Sequence, residues 1–327
     1  MGILFTTMKK ENPEYIENKL TYAGLKKQEE FSWLKEVEAQ PLSQVNMDLN
    51  KAYKNTFNSK FGFPKFKSKK YSKKSYRTAV GMKVNGRYFY VSKVGWVKMA
   101  EELRFKGKLM NVTISQTKSG KYFATFLVDA ENFQQEPVAN NIGLDLGLTH
   151  FCITSAGEKI DNNRFYRSLE QRLIREQRKL SKRLEVAKKH NRKLDECRNY
   201  QKQKVKVARI HEKIANQRTD FLHKLSSRLT DENQIICIED LNVKGLVKNH
   251  KLAKSISDVS WSEFVRQLDY KCAWKGRTLV KVDRFFPSSQ LCSSCGHNDG
   301  KKELNIREWV CSNCGTIHDR DIYASIN

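Results

Sequence analysis

Residues 141–147 read NIGLDLG, and the reading of this stretch decides the fold of the second half of the chain. Ile142, Leu144 and Leu146 alternate with Gly143, Asp145 and Gly147. A strand with this pattern buries one face and turns Asp145 to the other, between neighbours that carry no side chain. Small flanks predict room beside the carboxylate for something large: a nucleotide phosphate, a metal ion or a nucleic-acid backbone. The chain then returns through THFCITSAGEKI, residues 149–160, which predicts antiparallel strands at the head of a domain.

Downstream, residues 165–229 contain no proline and carry two apolar stripes at helical spacing. Leu169, Leu173, Leu180 and Leu184 form one; Ile210, Ile214, Phe221, Leu225 and Leu229 form the other. They predict a long helical hairpin whose stripes are packing surface. QIICIEDLNV (234–243) reads as a strand ending in an acid, Glu239, with Asp240 beside it. A helix over 261–275 and a strand in TLVKVDRFF (278–286) follow. Upstream, residues 14–57 read as helical, with Pro41 separating two helices. Asn85-Gly86 and Ser119-Gly120 mark two hairpins, so residues 78–130 predict a small antiparallel barrel or sheet. The segment ENFQQEPVAN (131–140) is a linker.

The chain has 327 residues, with 61 Lys and Arg against 36 Asp and Glu, a net charge of +25. Such an excess predicts a polyanionic partner, nucleic acid before a membrane surface, since no apolar run is long enough to span one. No secretory signal is visible, which predicts the cytoplasm, at the nucleoid. Between Lys51 and Ala100 there is no acidic residue. Within that stretch Phe61, Phe63, Phe66, Tyr71 and Tyr76 are interleaved with Lys60, Lys65, Lys67, Lys69, Lys70, Lys73, Lys74 and Arg77. Cations neutralise phosphates and aromatic faces stack on unpaired bases, so residues 60–77 read as a basic loop that grips RNA or DNA. The bland alternative is a solvated loop whose aromatics anchor it to a core.

Of eight cysteines, Cys152, Cys197, Cys237 and Cys272 stand alone. The other four form two C-x-x-C units, Cys292 with Cys295 and Cys311 with Cys314, each followed by glycine. Four thiolates at tetrahedral reach predict one structural Zn2+ that holds a ribbon and, with every position filled, does not activate water. Iron suits the same spacing. Asp145, Glu239, Asp319 and Asp321 each fall near the edge of a predicted element. Three converging carboxylates repel one another unless cations sit among them. Two Mg2+ ions about 4 Å apart would suit hydrolysis of a phosphodiester. A phosphate loop of actin-like ATPases shares the IGLDLG pattern, but no Asp-Gly-Gly loop follows it here.

Taken together, IGLDLG, IEDLNVKGLVKN, FFPSSQLCSSCG and CGTIHDRD resemble the TnpB (OrfB) family of insertion-sequence proteins. The resemblance covers most of the chain from about residue 14. It implies an α/β multidomain protein: a helical recognition lobe (1–77), a wedge-like β-barrel (78–136), and a ribonuclease H-like (RuvC) nuclease domain (137–327) with the hairpin 165–229 and a zinc ribbon 288–318. It further implies RNA-guided cleavage of double-stranded DNA, with a guide RNA from the transposon end and kinship to type V CRISPR effectors. Asp145, Glu239 and Asp321 take the places of the three acids, with Asp319 the alternative for the third and Asp240 a supporting residue. Two departures stand out. Tyr323 occupies a position where the family has Asn, which predicts weakened cleavage, and MGILFTTMKKENPEY does not resemble the family's first barrel strand, which predicts a shortened copy. The competing expectation is therefore a catalytically weak or inactive DNA- or RNA-binding remnant or regulator of the same family.

Overall fold

Hydrophobic periodicity carries over into elements in both units of the chain, Met1–Glu131 and Asn132–Asn327. The computed structural model describes residues 22–58, 62–66, 68, 73–79, 81–130, 135–303, 306 and 308–326, with backbone alone for Tyr22, Ala23, Arg320 and Asp321.

In the first unit a short helix α1 (Tyr22–Leu25), a 3-10 helix (Glu29–Lys35) and α2 (Ala39–Asn58) gather Leu25, Phe31, Leu34 and Leu42 into a small core. Pro41 does not separate a pair of helices. It sits in the first turn of α2, where the missing N–H would have no intrahelical partner anyway. Six strands follow: β1 (Lys74–Thr78), β2 (Lys83–Asn85), β3 (Tyr88–Val91), β4 (Gly95–Lys98), β5 (Lys108–Gln116) and β6 (Tyr122–Asp129). Both predicted hairpins form, with Gly86 and Gly120 at positive φ in their turns. Among the described residues these strands make two separate antiparallel sheets, β1-β5-β6 and β2-β3-β4, rather than one closed hydrogen-bonded barrel. Phe89 and Phe126 join them edge to face, 5.6 Å between centroids. The basic stretch is not all loop: Lys74–Thr78 is a strand, because its backbone pairs with Val112–Gln116 of β5.

The second unit is built on a five-stranded sheet of order β11-β10-β7-β8-β9. Its strands are β7 (Asn141–Leu146), β8 (His150–Thr154), β9 (Lys159–Asp161), β10 (Ile235–Glu239) and β11 (Thr278–Val282). The first three form an antiparallel meander; β10 and β11 then add parallel to β7. The predicted hairpin appears as α3 (Phe165–Lys189) and α4 (Arg198–Glu232). Leu173, Val207, Ile210 and Ile214 hold its two arms together. The far end of α4, with α5 (Val243–Leu246), α6 (Ala253–Val259) and α7 (Trp261–Lys275), covers one face of the sheet. There Leu144, Phe151, Ile236, Ile238, Leu222, Leu229, Phe264 and Leu268 are buried together, with Phe151 edge-on to both Phe221 and Phe264. A hairpin of β12 (Glu308–Val310) and β13 (Ile317–Asp319) leads into α8 (Arg320–Ile326), which packs on β7 and β8.

Candidate active site

Parallel pairing of β7 with β10 sets Leu144 opposite Ile238, both in the core. Side chains alternate along strands, so the next residues, Asp145 and Glu239, turn together to the opposite face. Both line one cavity of about 340 Å3, with Asp283, Phe286, Ser288 and Ser325 also on its wall. Glu239 is half-buried; loss of water and the charge of Asp240 push its carboxyl above the usual range. Asp240 itself pairs with Arg284 at 2.6 Å.

Gly143 shares a strand face with Asp145, and the space beside it is not vacant. The backbone of α8 occupies it: a Cβ on Gly143 would lie 1.8 Å from the Ser325 carbonyl oxygen. Gly143 also donates from its N–H to Ser155 Oγ at 3.0 Å, and Ser155 returns its N–H to the Gly143 carbonyl at 2.9 Å. The glycine thus serves the approach of the helix that carries Asp321, not a ligand. Nothing is described of the Asp321 side chain. Asp319 is engaged elsewhere, accepting from Lys159 Nζ at 3.0 Å and from the Ile322 N–H at 3.3 Å. A carboxylate there caps the first turn of α8.

The four cysteines of the two C-x-x-C units lie with every Sγ within 4.8 Å of the others. Cys292 to Cys314 is 3.5 Å and Cys295 to Cys311 is 3.7 Å. These distances are far beyond a disulfide and match the edge of a tetrahedron of sulfurs around zinc, about 3.8 Å for Zn–S bonds of about 2.3 Å. Each unit closes a tight turn, Gly296 N–H to the Cys292 carbonyl and Gly315 N–H to the Cys311 carbonyl, and both glycines have φ of 72°. Hydrogen bonds from Thr316 hold Cys314 down at about 6, while burial pushes Cys311 up to about 11. Beside the thiols, His318 is fully buried, with Nε2 3.1 Å from Cys292 Sγ. It stacks on Trp309 at 4.4 Å and meets Tyr323 edge-on at 3.9 Å. Tyr323 therefore packs into the ribbon rather than into the acidic cavity.

Of the predicted nucleic-acid contacts, Lys65, Lys73 and Lys74 are exposed. Arg77 is half-buried and paired with Asp48 through one guanidinium nitrogen. Lys60, Lys67, Lys69 and Lys70 lie outside the described residues. Sequence reasoning passed over Asp283, Phe286 and His318. Asp283 follows the last residue of β11 much as Glu239 ends β10, so the same pattern of an acid closing an apolar run was there to find.

The OrfB_IS605 model, described as a probable transposase, matches residues 125–250, and the Cas12f1-like TNB domain matches residues 261–327. A protein of Streptomyces pristinaespiralis named "Putative RNA-guided DNA endonuclease" is 39% identical over 323 residues, covering 96% of this chain and 76% of that protein. InsQ of Escherichia coli K12, which carries the same description, is 32% identical over 317 residues, 91% of this chain and 75% of that one. A cryo-EM structure of the Cas12f1–sgRNA–target DNA complex superposes with a TM-score of 0.50 at 13% identity, over 99% of this chain and 77% of that one. By fold, then, the chain is an α/β protein of the Cas12f1 type with a cysteine cluster near its C-terminal end. It belongs to the TnpB (OrfB) family.

Proposed function

We propose that this protein is an RNA-guided DNA endonuclease encoded by an insertion sequence, with a ribonuclease H-like (RuvC) centre in its second unit. The observation that carries the reading is the joint exposure of Asp145 and Glu239 to one cavity, at the ends of adjacent parallel strands. The donor set is all oxygen, which fits Mg2+ rather than a softer ion. Burial and Asp240 make a lone charge on Glu239 unfavourable, and a cation between the carboxylates offsets that cost.

Asp145, Glu239 and Asp321 are the residues we assign to hold two Mg2+ ions. When bound, such ions activate the attacking water and stabilise the leaving oxygen of a phosphodiester. Asp145 and Glu239 orient that site from a sheet whose register leaves them little freedom. We prefer Asp321 to Asp319 as the third acid, because the Asp319 carboxylate accepts from Lys159 and from the Ile322 N–H in the first turn of α8. The four cysteines would hold one structural Zn2+. Lys65, Lys73 and Lys74, with the rest of the basic stretch 60–77, grip nucleic acid; the partners are a guide RNA from the transposon end and double-stranded target DNA.

Plasmid cleavage tests the reading. The protein is co-expressed with the RNA of its flanking transposon end and assayed with Mg2+ or with EDTA, beside Asp145→Ala. Cutting that requires both metal and Asp145 is expected, with Asp145→Ala and Glu239→Gln each losing at least about a hundredfold, since even outer-shell changes cost 10–100-fold. Cutting that survives Asp145→Ala overturns the assignment. The rival reading of a weak or inactive binder rests on Tyr323, whose ring packs edge-on against His318, and on the N-terminal stretch unlike the family's, which lies outside the described residues.

A further inference from the structure

Three ribbon thiols have a polar side chain beside them. Asn313 Nδ2 lies 3.6 Å from Cys295 Sγ, Thr316 Oγ1 lies 3.2 Å from Cys314 Sγ, and His318 Nε2 lies 3.1 Å from Cys292 Sγ. Asn313 is exposed and Thr316 half-buried, so water can stand in for either. His318 and Cys292 are both buried, and water has no such access there. The other ring nitrogen of His318, Nδ1, is buried without a partner among the described residues. A neutral imidazole carries its proton on one nitrogen only. On Nδ1 that proton would be an orphaned buried donor, and the Nε2 lone pair would face the lone pairs of the sulfur. On Nε2 it points at the sulfur, and the bare Nδ1 is the less costly orphan.

Resting on the proposed zinc site, we infer that His318 is a positioning residue for the metal: its Nε2–H donates to the Cys292 thiolate and strengthens retention of the ion. Four thiolates around one divalent cation carry two surplus negative charges. At Cys292 that charge is out of reach of water, so a buried donor offsets a cost that nothing else relieves. The ring is held in the plane this needs. Trp309 of β12 stacks on it with centroids 4.4 Å apart, and Tyr323 of α8 meets it edge-on at 3.9 Å. His318 lies in β13, and α8 begins two residues later at Arg320. One side chain thus contacts a ligand of the metal, the ribbon hairpin and the helix that carries Asp321. A histidine that merely filled the core would need neither the proton on Nε2 nor the sulfur.

The test uses the full chain and reads the metal site, not cleavage. Competition for Zn2+ against a chelator, and the sulfur-to-metal charge-transfer band of the Co2+-loaded protein, are compared in wild type, His318→Phe and His318→Gln. Phe keeps an aromatic ring for Trp309 but cannot donate; Gln places an amide N–H where the Nε2–H stood. His318→Phe is expected to hold Zn2+ about 10–100-fold more weakly, the usual cost of losing an outer-shell partner. Its Co2+ band should move to longer wavelength, because a thiolate without its donor releases charge to the metal more readily. His318→Gln is expected to regain most of the affinity and the wild-type band. Nitrogen NMR of the Zn2+-loaded wild type, which needs no variant to fold, is expected to show the proton on Nε2 and a bare Nδ1. A proton on Nδ1 alone overturns the inference, as does His318→Phe with wild-type affinity and band, or a loss in His318→Gln equal to that in His318→Phe. A wild-type chain that takes up neither Zn2+ nor Co2+ refutes the zinc reading and the inference with it. Full wild-type uptake with an indifferent His318→Phe refutes the inference and leaves the zinc reading standing.

Discussion

At the scale of single residues, glycine and acid divide the work of one strand. Gly143 permits a backbone approach that no side chain allows, and Asp145, two residues on, uses the same face for its carboxylate. Gly143→Ala is expected to cost about 1–3 kcal/mol, as overpacking of a filled site does, because the atom it meets is backbone and cannot swing away. Chemical denaturation measures this directly. A cost within a few tenths of a kcal/mol would mean that α8 docks more loosely than the geometry requires. Asp319 shows the same logic in reverse: its motif singles it out, yet its bonds to Lys159 and Ile322 make it a cap.

At the scale of elements, the ribbon and the last helix behave as one piece. Cys292 touches His318, His318 touches Tyr323, and Tyr323 lies on α8, whose Ser325 carbonyl abuts Gly143. Metal analysis of the purified protein should find about one zinc per chain, lost when Cys292 and Cys295 are both changed to Ser. Because the ribbon leads directly into α8, the same variant should loosen α8, read as faster amide exchange in residues 320–326. Zinc-free protein with unchanged exchange would show that the hairpin stands without a metal. The hairpin α3–α4, by contrast, was plain from its stripes, since a four-seven-four spacing admits one helical face and little else.

At the scale of the whole molecule, the excess of 61 basic over 36 acidic residues would govern the affinity of the proposed nucleic-acid grip more than its specificity. Lys65, Lys73 and Lys74 are exposed and acid-free in sequence context, so changing all three to Gln should reduce the salt dependence of DNA binding by roughly 2–3 in the slope of log K against log salt. Titration between about 50 and 200 mM salt checks it. An unchanged slope would move the grip to other basic surfaces, such as the outer faces of α3 and α4. Among the described residues no helix is long and apolar enough to cross a membrane.

Local chemistry alone determined a great deal. Alternation placed β7 and β10, helical stripes placed α3 and α4, Asn-Gly and Ser-Gly placed two turns, and the spacing of four cysteines marked a cluster able to hold a metal ion. Each of these depends on neighbours a few residues away, which sequence displays. Tertiary structure decided what depends on distant partners. The parallel register of β7, β10 and β11 brings Asp145, Glu239 and the overlooked Asp283 to one cavity; the barrel expected over 78–136 separates into two sheets; Arg77 pairs with Asp48; and the space beside Gly143 belongs to the C-terminal helix rather than to a ligand. The reason is physical: strand register and helix docking are settled by burial of apolar surface between remote segments, and no local pattern encodes which remote segment arrives.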